Sequence, residues 1–334
     1  MAQFDMPIEQ LREYRPDREE PSDFDAFWQQ TLAFSRGHGE ALFTRVATGL
    51  RNLIVEDVTF PGFAGHPIKG WFVRPVGEIR GTVVQFIGYG GGRGVPEQWT
   101  MLPSAGYALF VMDSRGQGNG GSASATADPV GSGPRIPGQM SSGIEDPDEY
   151  YYRRLFTDAA LAVDAVRTHP AVDPSSIVVS GGSQGGGIAI AAAGLSEGLA
   201  GAIVDVPFLS HYRRALRITD ANPYNELTRY LQSRRGAEEE VFRVLSYFDG
   251  VNFAARSHVP ALYSVGLCDA VCPPSTVFAQ FNHYAGEDKR IEVYPYNGHE
   301  GGQWTQLRRH LEFLDAVLGS EARTESAETV VSAR

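Results

Sequence analysis

Short apolar runs alternate with helical segments through most of the chain. Six runs have the length and composition of buried strands: 82–87, 107–112, 177–180, 202–206, 261–267 and 291–294. In the stretch 150–168, apolar residues from Leu155 to Val166 recur at helical spacing and predict a helix with one apolar face. This alternation predicts an α/β fold with a mainly parallel sheet that is covered on both faces.

Two further patterns precede this alternation. Ser22 and Asp23 are followed by apolar residues at helical spacing, which predicts a capped amphipathic helix that packs on the main domain. The runs 53–60 and 68–74, joined by a turn-rich stretch, predict a β-hairpin. We therefore assign residues 1–50 to an N-terminal helical extension ahead of the sheet.

Two longer segments interrupt the alternation within a single predicted domain, residues 1–319. The first, 118–148, is rich in Gly, Ser and Pro, and a loop of this length is usually functional or part of an interface. We call it the insertion loop. The second, 207–256, contains helical runs and is predicted to be a helical, lid-like segment. Residues 320–334 are predicted to form a flexible tail.

Charge and composition restrict the partners. The 29 Lys and Arg residues against 40 Asp and Glu residues give a net charge of −11, which argues against nucleic acid or an anionic membrane as partner. The chain shows neither a signal-peptide pattern nor a run of about 20 apolar residues, so we expect a cytoplasmic location. Cys268 and Cys272 supply neither a disulfide framework nor a zinc ligand set, and we expect no metal or organic cofactor.

The segment Gly181-Gly182-Ser183-Gln184-Gly185 follows one predicted strand and opens an Ala-rich helix. A serine at such a turn is the nucleophile elbow of a hydrolase, where flanking glycines permit strained angles and close packing. A glycine-rich turn without catalytic role is the alternative. The strand before the motif and the helix after it favour Ser183 as nucleophile.

A serine nucleophile needs a base, and the base needs an acid that orients it. Asp269 follows the run 261–267, and His299 lies in a glycine turn after the last predicted strand. The order Ser, Asp, His is that of α/β-hydrolases. Asp249 or Asp288 could replace Asp269, but the position at a strand end favours Asp269. The other seven histidines do not follow the last strand in a glycine turn.

Acyl transfer also requires hydrogen-bond donors for the oxyanion. The residue after the nucleophile, Gln184, supplies one amide, and we choose Tyr89 in the glycine-rich stretch 88–94 as the second. We call residues 88–94 the oxyanion loop. A phosphate cradle is the alternative, but this stretch lacks the Gly-Lys-Ser/Thr ending of a P-loop and the spacing of a dinucleotide fingerprint.

Three signatures occur together: Arg115-Gly116-Gln117, Gly181-Gly182-Ser183-Gln184-Gly185 and His299-Glu300, with supporting segments at 150–154, 246–249 and 272–276. In this combination the chain resembles, over nearly its whole length, the acetyl xylan esterase and cephalosporin C deacetylase group, carbohydrate esterase family seven. The resemblance implies an α/β-hydrolase fold and deacetylation of small esters, including acetylated xylo-oligosaccharides and cephalosporin C.

The resemblance also implies roles for individual residues. Ser183 would be the nucleophile, His299 the base and Asp269 its orienting acid, with the amides of Tyr89 and Gln184 as the oxyanion hole. For Arg115, Gln117 and Glu300 we expect structural support. Acyl transfer requires no cation at Arg115, and a guanidinium bound to a carboxylate can hold loops together.

Members of the resembled family are commonly ring-shaped homohexamers, so a homo-oligomer is expected, with the insertion loop as candidate interface. Two other functions stay open from the sequence. One is a prolyl-oligopeptidase-like serine peptidase that uses the same triad on an amide, although no N-terminal propeller domain is evident. The other is a noncatalytic binding protein on a hydrolase fold.

Overall fold

The computed structural model describes residues 3–130 and 138–319. In this part of the chain a nine-stranded sheet has the order β1-β2-β3-β5-β4-β6-β7-β8-β9. The strands are β1 Leu42–Val46, β2 Leu53–Pro61, β3 Pro67–Pro75, β4 Thr82–Phe86, β5 Ala108–Met112, β6 Ile177–Gly182, β7 Gly201–Asp205, β8 Ala261–Gly266 and β9 Lys289–Tyr294.

Helices connect the strands and cover the sheet. They are α1 Ile8–Glu13, α2 Phe24–Ser35, α3 Met101–Ser104, α4 Tyr151–Arg167, α5 Gln184–Leu195, α6 Tyr212–Ile218, α7 Tyr224–Ser233, α8 Glu238–Ser246, α9 Gly250–Ala254, α10 Pro274–His283 and α11 Gln303–Leu318. The lid-like segment contains α6 to α9 and is helical, as predicted. None of the helices in the described residues is long and apolar enough to cross a membrane.

The predicted mainly parallel sheet is confirmed. Strands β1, β2 and β3 pair antiparallel, β3 joins β5 antiparallel, and every pairing from β5 through β4 to β9 is parallel. Neighbouring residues of one strand face opposite sides. Val84 packs in the core that includes Phe156 and Ile188, whereas Val83 packs with Leu102 and Leu314. Both faces of the strands β4 to β8 are therefore buried, which is why these strands are largely apolar.

The N-terminal region differs from its prediction. Residues 1–50 contain the helices α1 and α2 but also the strand β1, which pairs with β2. This edge strand is mostly exposed, so its sequence lacks a regular apolar alternation. Helix α2 packs on the main domain as predicted, through buried Trp28, whose Nε1 donates to the Tyr247 carbonyl at 3.0 Å.

The start of α2 also differs from its prediction. Its N-cap is Asp23 rather than Ser22, and no side-chain hydrogen bond caps the helix. The Asp23 carboxylate instead accepts a hydrogen bond from the Tyr247 hydroxyl at 2.7 Å, because the helix docks against that tyrosine. The predicted tail, 320–334, and residues 131–137 of the insertion loop lie outside the described residues.

Candidate active site

Ser183, the predicted nucleophile, lies on a sharp turn between β6 and α5 that we call the nucleophile turn. Its φ of +58° and ψ of −122° are unusual for a residue with a side chain. Three backbone hydrogen bonds hold the turn: the Ser183 amide donates to the Asp205 carbonyl at 3.0 Å, and the Ser183 carbonyl accepts the amides of Gly187 at 3.1 Å and Phe208 at 2.9 Å. The turn places Ser183 just beyond the carboxyl end of β6.

Glycines around Ser183 are required by close backbone approach. A Cβ at Gly181 would lie 2.1 Å from the Gly185 carbonyl oxygen, and one at Gly185 would lie 2.4 Å from the Phe86 carbonyl oxygen. Any side chain at these positions would push α5 away from β6 or β4. The flanking glycines thus allow the helix to begin directly behind the serine.

The structure brings Ser183, His299 and Asp269 into one chain of hydrogen bonds. His299 Nε2 lies 2.9 Å from Ser183 Oγ, and His299 Nδ1 lies 2.9 Å from Asp269 Oδ2. Asp269 is fully buried, whereas the His299 side chain is about one-third exposed. Such an arrangement can pass the serine proton to the imidazole while the carboxylate fixes the ring's tautomer and stabilises its charged form.

Two backbone amides fix the carboxylate of Asp269. Its Oδ1 accepts the amides of Val271 at 2.8 Å and Cys272 at 2.9 Å, so Oδ2 is left to face the imidazole. The alternative acid Asp249 lies elsewhere, as the N-cap of α9, and its carboxylate accepts the amides of Val251, His211 and Tyr212. Burial raises the pKa of Asp249 to about 6.

Within the described residues, Asp269, Cys272 and His299 form a group that could hold a metal ion, since one ligand atom of each lies within 4.8 Å of the others. Both ring nitrogens of His299 already lie at hydrogen-bond distance from Ser183 and Asp269. Burial, followed by the charge of Asp269, raises the pKa of Cys272 and keeps its thiol protonated. The geometry therefore fits proton transfer better than metal coordination.

Gln184 and Tyr89, the predicted oxyanion donors, lie on neighbouring elements. Gln184 is the first residue of α5, where a helical amide has no intrahelical acceptor. Tyr89 follows β4, which pairs with β6 directly beside the nucleophile turn. The next amide in the loop, that of Gly90, is already used, because it donates to Gln117 Oε1 at 2.7 Å.

Gln117 joins the oxyanion loop to the helix behind Ser183. Its Nε2 donates to the Tyr151 hydroxyl at 2.8 Å and to Gln184 Oε1 at 3.0 Å. The Tyr152 hydroxyl donates to the same Gln184 oxygen at 3.0 Å. The sequence did not indicate these tyrosine contacts, although both residues lie in the supporting segment 150–154.

Arg115 is completely buried and paired. Its Nε and Nη2 donate to the two carboxylate oxygens of Asp158 at 2.6 and 2.7 Å, and Nη1 lies 3.3 Å from Asp128. The guanidinium thereby joins the loop after β5, the insertion loop and α4. Its contacts are those of a residue that holds loops together.

Glu300 supports the turn that carries His299. Its carboxylate accepts hydrogen bonds from Asn297 Nδ2 at 2.9 Å and from the Gly298 amide at 3.0 Å. Hydrogen bonds from its own amide, from Asn297 and from Gly298 hold the pKa of Glu300 below its usual value. The anionic side chain closes the turn around the histidine.

A polar cluster beneath the nucleophile turn was missed from the sequence. Asp205 ends β7, and its Oδ1 accepts hydrogen bonds from Ser264 Oγ and Gln306 Nε2, both at 2.8 Å, while Oδ2 lies 2.7 Å from His310 Nε2. The Asp205 carbonyl also accepts the Ser183 amide. Only the position of Asp205 at the end of a predicted strand could have indicated this cluster from the sequence.

Comparisons with known proteins identify the family to which the chain belongs. The family model for acetyl xylan esterase (AXE1) matches residues 1–317. Among solved structures, acetyl xylan esterase from Paenibacillus sp. R4 is 38% identical with a TM-score of 0.87, covering 93% of this chain and 100% of that one. Acetyl xylan esterase 1 from Thermoanaerobacterium sp. JW/SL YS485 is 34% identical with a TM-score of 0.85, covering 95% and 100%.

A curated relative, acetyl esterase Axe7A of Xylanibacter ruminicola, is 24% identical over 314 residues. That match covers 87% of this chain but only 65% of the relative's length. The expected α/β-hydrolase fold is confirmed by the close structural similarity. With a family model that extends over nearly all of its length, the chain belongs to the acetyl xylan esterase family.

Proposed function

We propose that the protein is a serine esterase that removes acetyl groups from small esters such as acetylated xylo-oligosaccharides and cephalosporin C. The hydrogen-bonded chain from Ser183 through His299 to Asp269 is the observation that carries the proposal. Membership of the acetyl xylan esterase family supports an acetylated carbohydrate as substrate. The peptidase and binding-protein alternatives have no comparable support.

The first half of the reaction forms an acetyl-enzyme. His299 Nε2 takes the Ser183 proton as Oγ attacks the acetyl carbonyl carbon, and the carbonyl electron pair moves onto oxygen. The amides of Tyr89 and Gln184 stabilise this oxyanion. When the tetrahedral intermediate collapses, the C–O bond to the alcohol breaks and the imidazolium protonates the departing oxygen.

The second half releases acetate. His299 takes a proton from water, whose oxygen attacks the acetyl carbon through a second oxyanion intermediate. Collapse breaks the bond to Ser183 Oγ, and the imidazolium returns its proton to the serine. The chemistry needs only the side chains and amides of this chain and one water molecule.

Active-site mutagenesis on several esters tests the proposal. Wild type should prefer p-nitrophenyl acetate over p-nitrophenyl octanoate and should release acetate from acetylated xylo-oligosaccharides and cephalosporin C. Ser183→Ala should abolish the cleavage of p-nitrophenyl acetate and the release of acetate from the other two substrates. Ser175→Ala, at an exposed serine after α4, should retain these activities. Cleavage of peptide anilides without ester cleavage would favour the peptidase, and full activity of Ser183→Ala would refute the triad.

We also propose that the protein assembles as a homohexamer through the insertion loop. The similarity to the resembled family and the length of this loop support the assembly. Its described parts contact the body on both sides of residues 131–137. Asp128 pairs with Arg115 and Arg154, and the amides of Gln139 and Met140 donate to Tyr89 and Glu226. Exposed residues of the anchored loop, such as Ala127, are positioned to contact another copy of the chain.

A further inference from the structure

A carboxylate of the lid-like segment reaches the oxyanion loop. Glu226 lies in the first turn of α7, and the Tyr89 hydroxyl lies 2.8 Å from its Oε1 and 2.9 Å from its Oε2. The two residues are 137 positions apart in the chain. Neither the triad nor the predicted oxyanion hole uses this carboxylate.

The same pair also contacts the insertion loop. Glu226 Oε2 accepts the Met140 amide at 3.3 Å. The Tyr89 hydroxyl oxygen accepts the Gln139 amide at 3.2 Å and lies 2.9 Å from Gln139 Oε1. Gln139 Nε2 in turn donates to the Gly116 carbonyl at 3.3 Å. The oxyanion loop, the insertion loop and α7 therefore meet at one hydrogen-bonded group.

Tyr89 is fixed at both ends. Its ring packs edge-on against Phe208, with centroids 6.3 Å apart, and the Phe208 amide donates to the Ser183 carbonyl. Its chain neighbour Gly90 is held by Gln117. The direction of the Tyr89 amide is thus set by the side-chain anchor at Glu226 and by the backbone anchor at Gln117.

Burial and charge favour a strong hydrogen bond between the Tyr89 hydroxyl and the Glu226 carboxylate. Burial, the charge of Glu226 and the hydrogen bond to it raise the pKa of Tyr89, so the phenol stays protonated and can donate. Burial also raises the pKa of Glu226, while hydrogen bonds from Tyr89 and Met140 and the charge of Arg229 act in the opposite direction. A hydrogen bond to a partly buried carboxylate is stronger than one between neutral groups.

We propose that Glu226 is a positioning residue for the oxyanion hole, which it orients by holding the Tyr89 hydroxyl. This inference rests on the esterase function proposed above. Glu226 orients the Tyr89 amide, whose hydrogen bond to the oxyanion strengthens in the transition state. Removal of the Glu226 carboxylate should therefore lower the turnover number and leave substrate binding nearly unchanged.

A double-mutant cycle tests the inference. Glu226→Leu and Tyr89→Phe should each lower kcat on p-nitrophenyl acetate about tenfold, as expected for one hydrogen bond to a charged group, with little change in KM. The double variant should be no slower than the slower single variant, because both substitutions remove the same contact. Glu226→Gln keeps an acceptor oxygen and should retain most of the turnover.

A second measurement separates positioning from simple destabilisation. The affinity for a trifluoroketone, which forms an oxyanion on Ser183, should fall with kcat across the four variants, while thermal unfolding need not follow the same order. Glu240→Leu, at an exposed glutamate of α8, is the matched control and should leave kcat unchanged. If Glu226→Leu is too unstable to assay, Tyr89→Phe and Glu226→Gln carry the test.

Three results would overturn the inference: unchanged kcat in folded Glu226→Leu and Tyr89→Phe, multiplicative losses in the double variant, or an effect on KM alone. Any of these together with an inactive Ser183→Ala would leave the esterase function intact. If wild type cleaves no ester at all, the function fails and this inference fails with it. The two failures are therefore distinguishable.

Discussion

At the scale of single residues, Asp269 is linked to the proposed nucleophile Ser183 through His299. Its Oδ1 is held by two amides and its Oδ2 faces His299 Nδ1. An asparagine in this place would keep the shape of the side chain but could present an N–H to the imidazole. The histidine would then be held in the wrong tautomer to accept the serine proton.

We therefore expect Asp269→Asn to lower kcat on p-nitrophenyl acetate about 10⁴-fold, without loss of the folded structure. Steady-state kinetics with a far-UV circular dichroism spectrum would measure both. Asp288→Asn is the matched control, because this exposed aspartate was one of the two competing candidates in the sequence. Equal losses in both variants would contradict the assignment of Asp269 as the orienting acid.

His211 provides a second prediction at this scale, on stability. Its Nε2 lies 2.9 Å from the Tyr14 hydroxyl, and burial, followed by the charges of Arg214 and His283, lowers its pKa from 6.5 to about 4. As the pH falls from 6.5 towards 4, the unfolded chain takes up a proton that the folded chain excludes. This contribution to stability is complete above pH 6.5 and is lost on acidification, by up to about 3 kcal/mol.

His211→Asn removes the titrating group, and asparagine tolerates the φ of +49° at this position. We expect the variant to be less stable than wild type at pH 7.5, because the Tyr14 contact is lost. That difference should narrow as the pH is lowered to 4.5. Urea unfolding of both proteins at a series of pH values gives the result, and a difference that stays constant with pH would contradict the prediction.

The three residues of the proposed triad could be predicted from the sequence because a local pattern marks each of them. Ser183 has its glycines, Asp269 follows an apolar strand, and His299 lies in a glycine turn. Glu226 had no such mark, since its partner Tyr89 lies on a distant element and only folding brings them together. Side-chain contacts between distant elements depend on packing that no local pattern encodes.

At the scale of elements, α5 approaches the sheet so closely at the site that a side chain does not fit between them. The helix begins against β4, where a Cβ on Gly185 would lie 2.4 Å from the Phe86 carbonyl oxygen. That atom belongs to a central strand paired on both sides, so it cannot move away easily. The helix would have to shift and would carry Gln184 and Ser183 with it.

Gly185→Ala should therefore lower the free energy of unfolding by about 3 kcal/mol, the upper part of the range for overpacked sites. It should also lower kcat, because the nucleophile turn moves with the helix. Gly49→Ala is the control, since a Cβ there meets nothing within 4 Å. Urea unfolding of the two variants checks the prediction, and similar stabilities would show that α5 can adapt to the extra methyl group.

The elements themselves were predictable where burial was uniform. The strands β4 to β8 are buried on both faces, so their positions followed from their largely apolar sequences. The edge strand β9, Lys289–Tyr294, is partly exposed, and the sequence predicted only its part 291–294. Strand β1 was not predictable, because it lies at the edge of the sheet and is mostly exposed. Within the lid-like segment the sequence predicted helical runs, but not the bounds of the four helices α6 to α9.

At the scale of the whole molecule, the chain's segments converge on the carboxyl end of one sheet. Loops after β4, β6, β8 and β9 carry Tyr89, Ser183, Asp269 and His299, while α7 and the insertion loop approach from the side. The parallel order of the strands is what collects these loops at one edge. The fold class could be predicted because short apolar runs alternate with helical segments over most of the chain. The position of α7 relative to the sheet could not be predicted from that pattern.

The proposed hexamer belongs to this scale, and light scattering at micromolar concentration measures it directly. The expected mass is six times the 36.4 kDa of one chain. Ala127→Asp places a charge on an exposed position of the insertion loop, and symmetry repeats that charge in every copy of the interface. Ala285→Asp, on an exposed loop after α10, introduces the same charge elsewhere.

We expect Ala127→Asp to shift the protein towards smaller assemblies and Ala285→Asp to leave the mass unchanged, because a charge buried between subunits pays a desolvation cost and an exposed one does not. A monomeric wild type would refute the hexamer. A hexamer that both substitutions leave intact would instead place the interface away from Ala127. Since the insertion loop also contacts Tyr89 and Glu226, loss of the assembly through Ala127→Asp should lower kcat as well, and the two effects can be followed in the same samples.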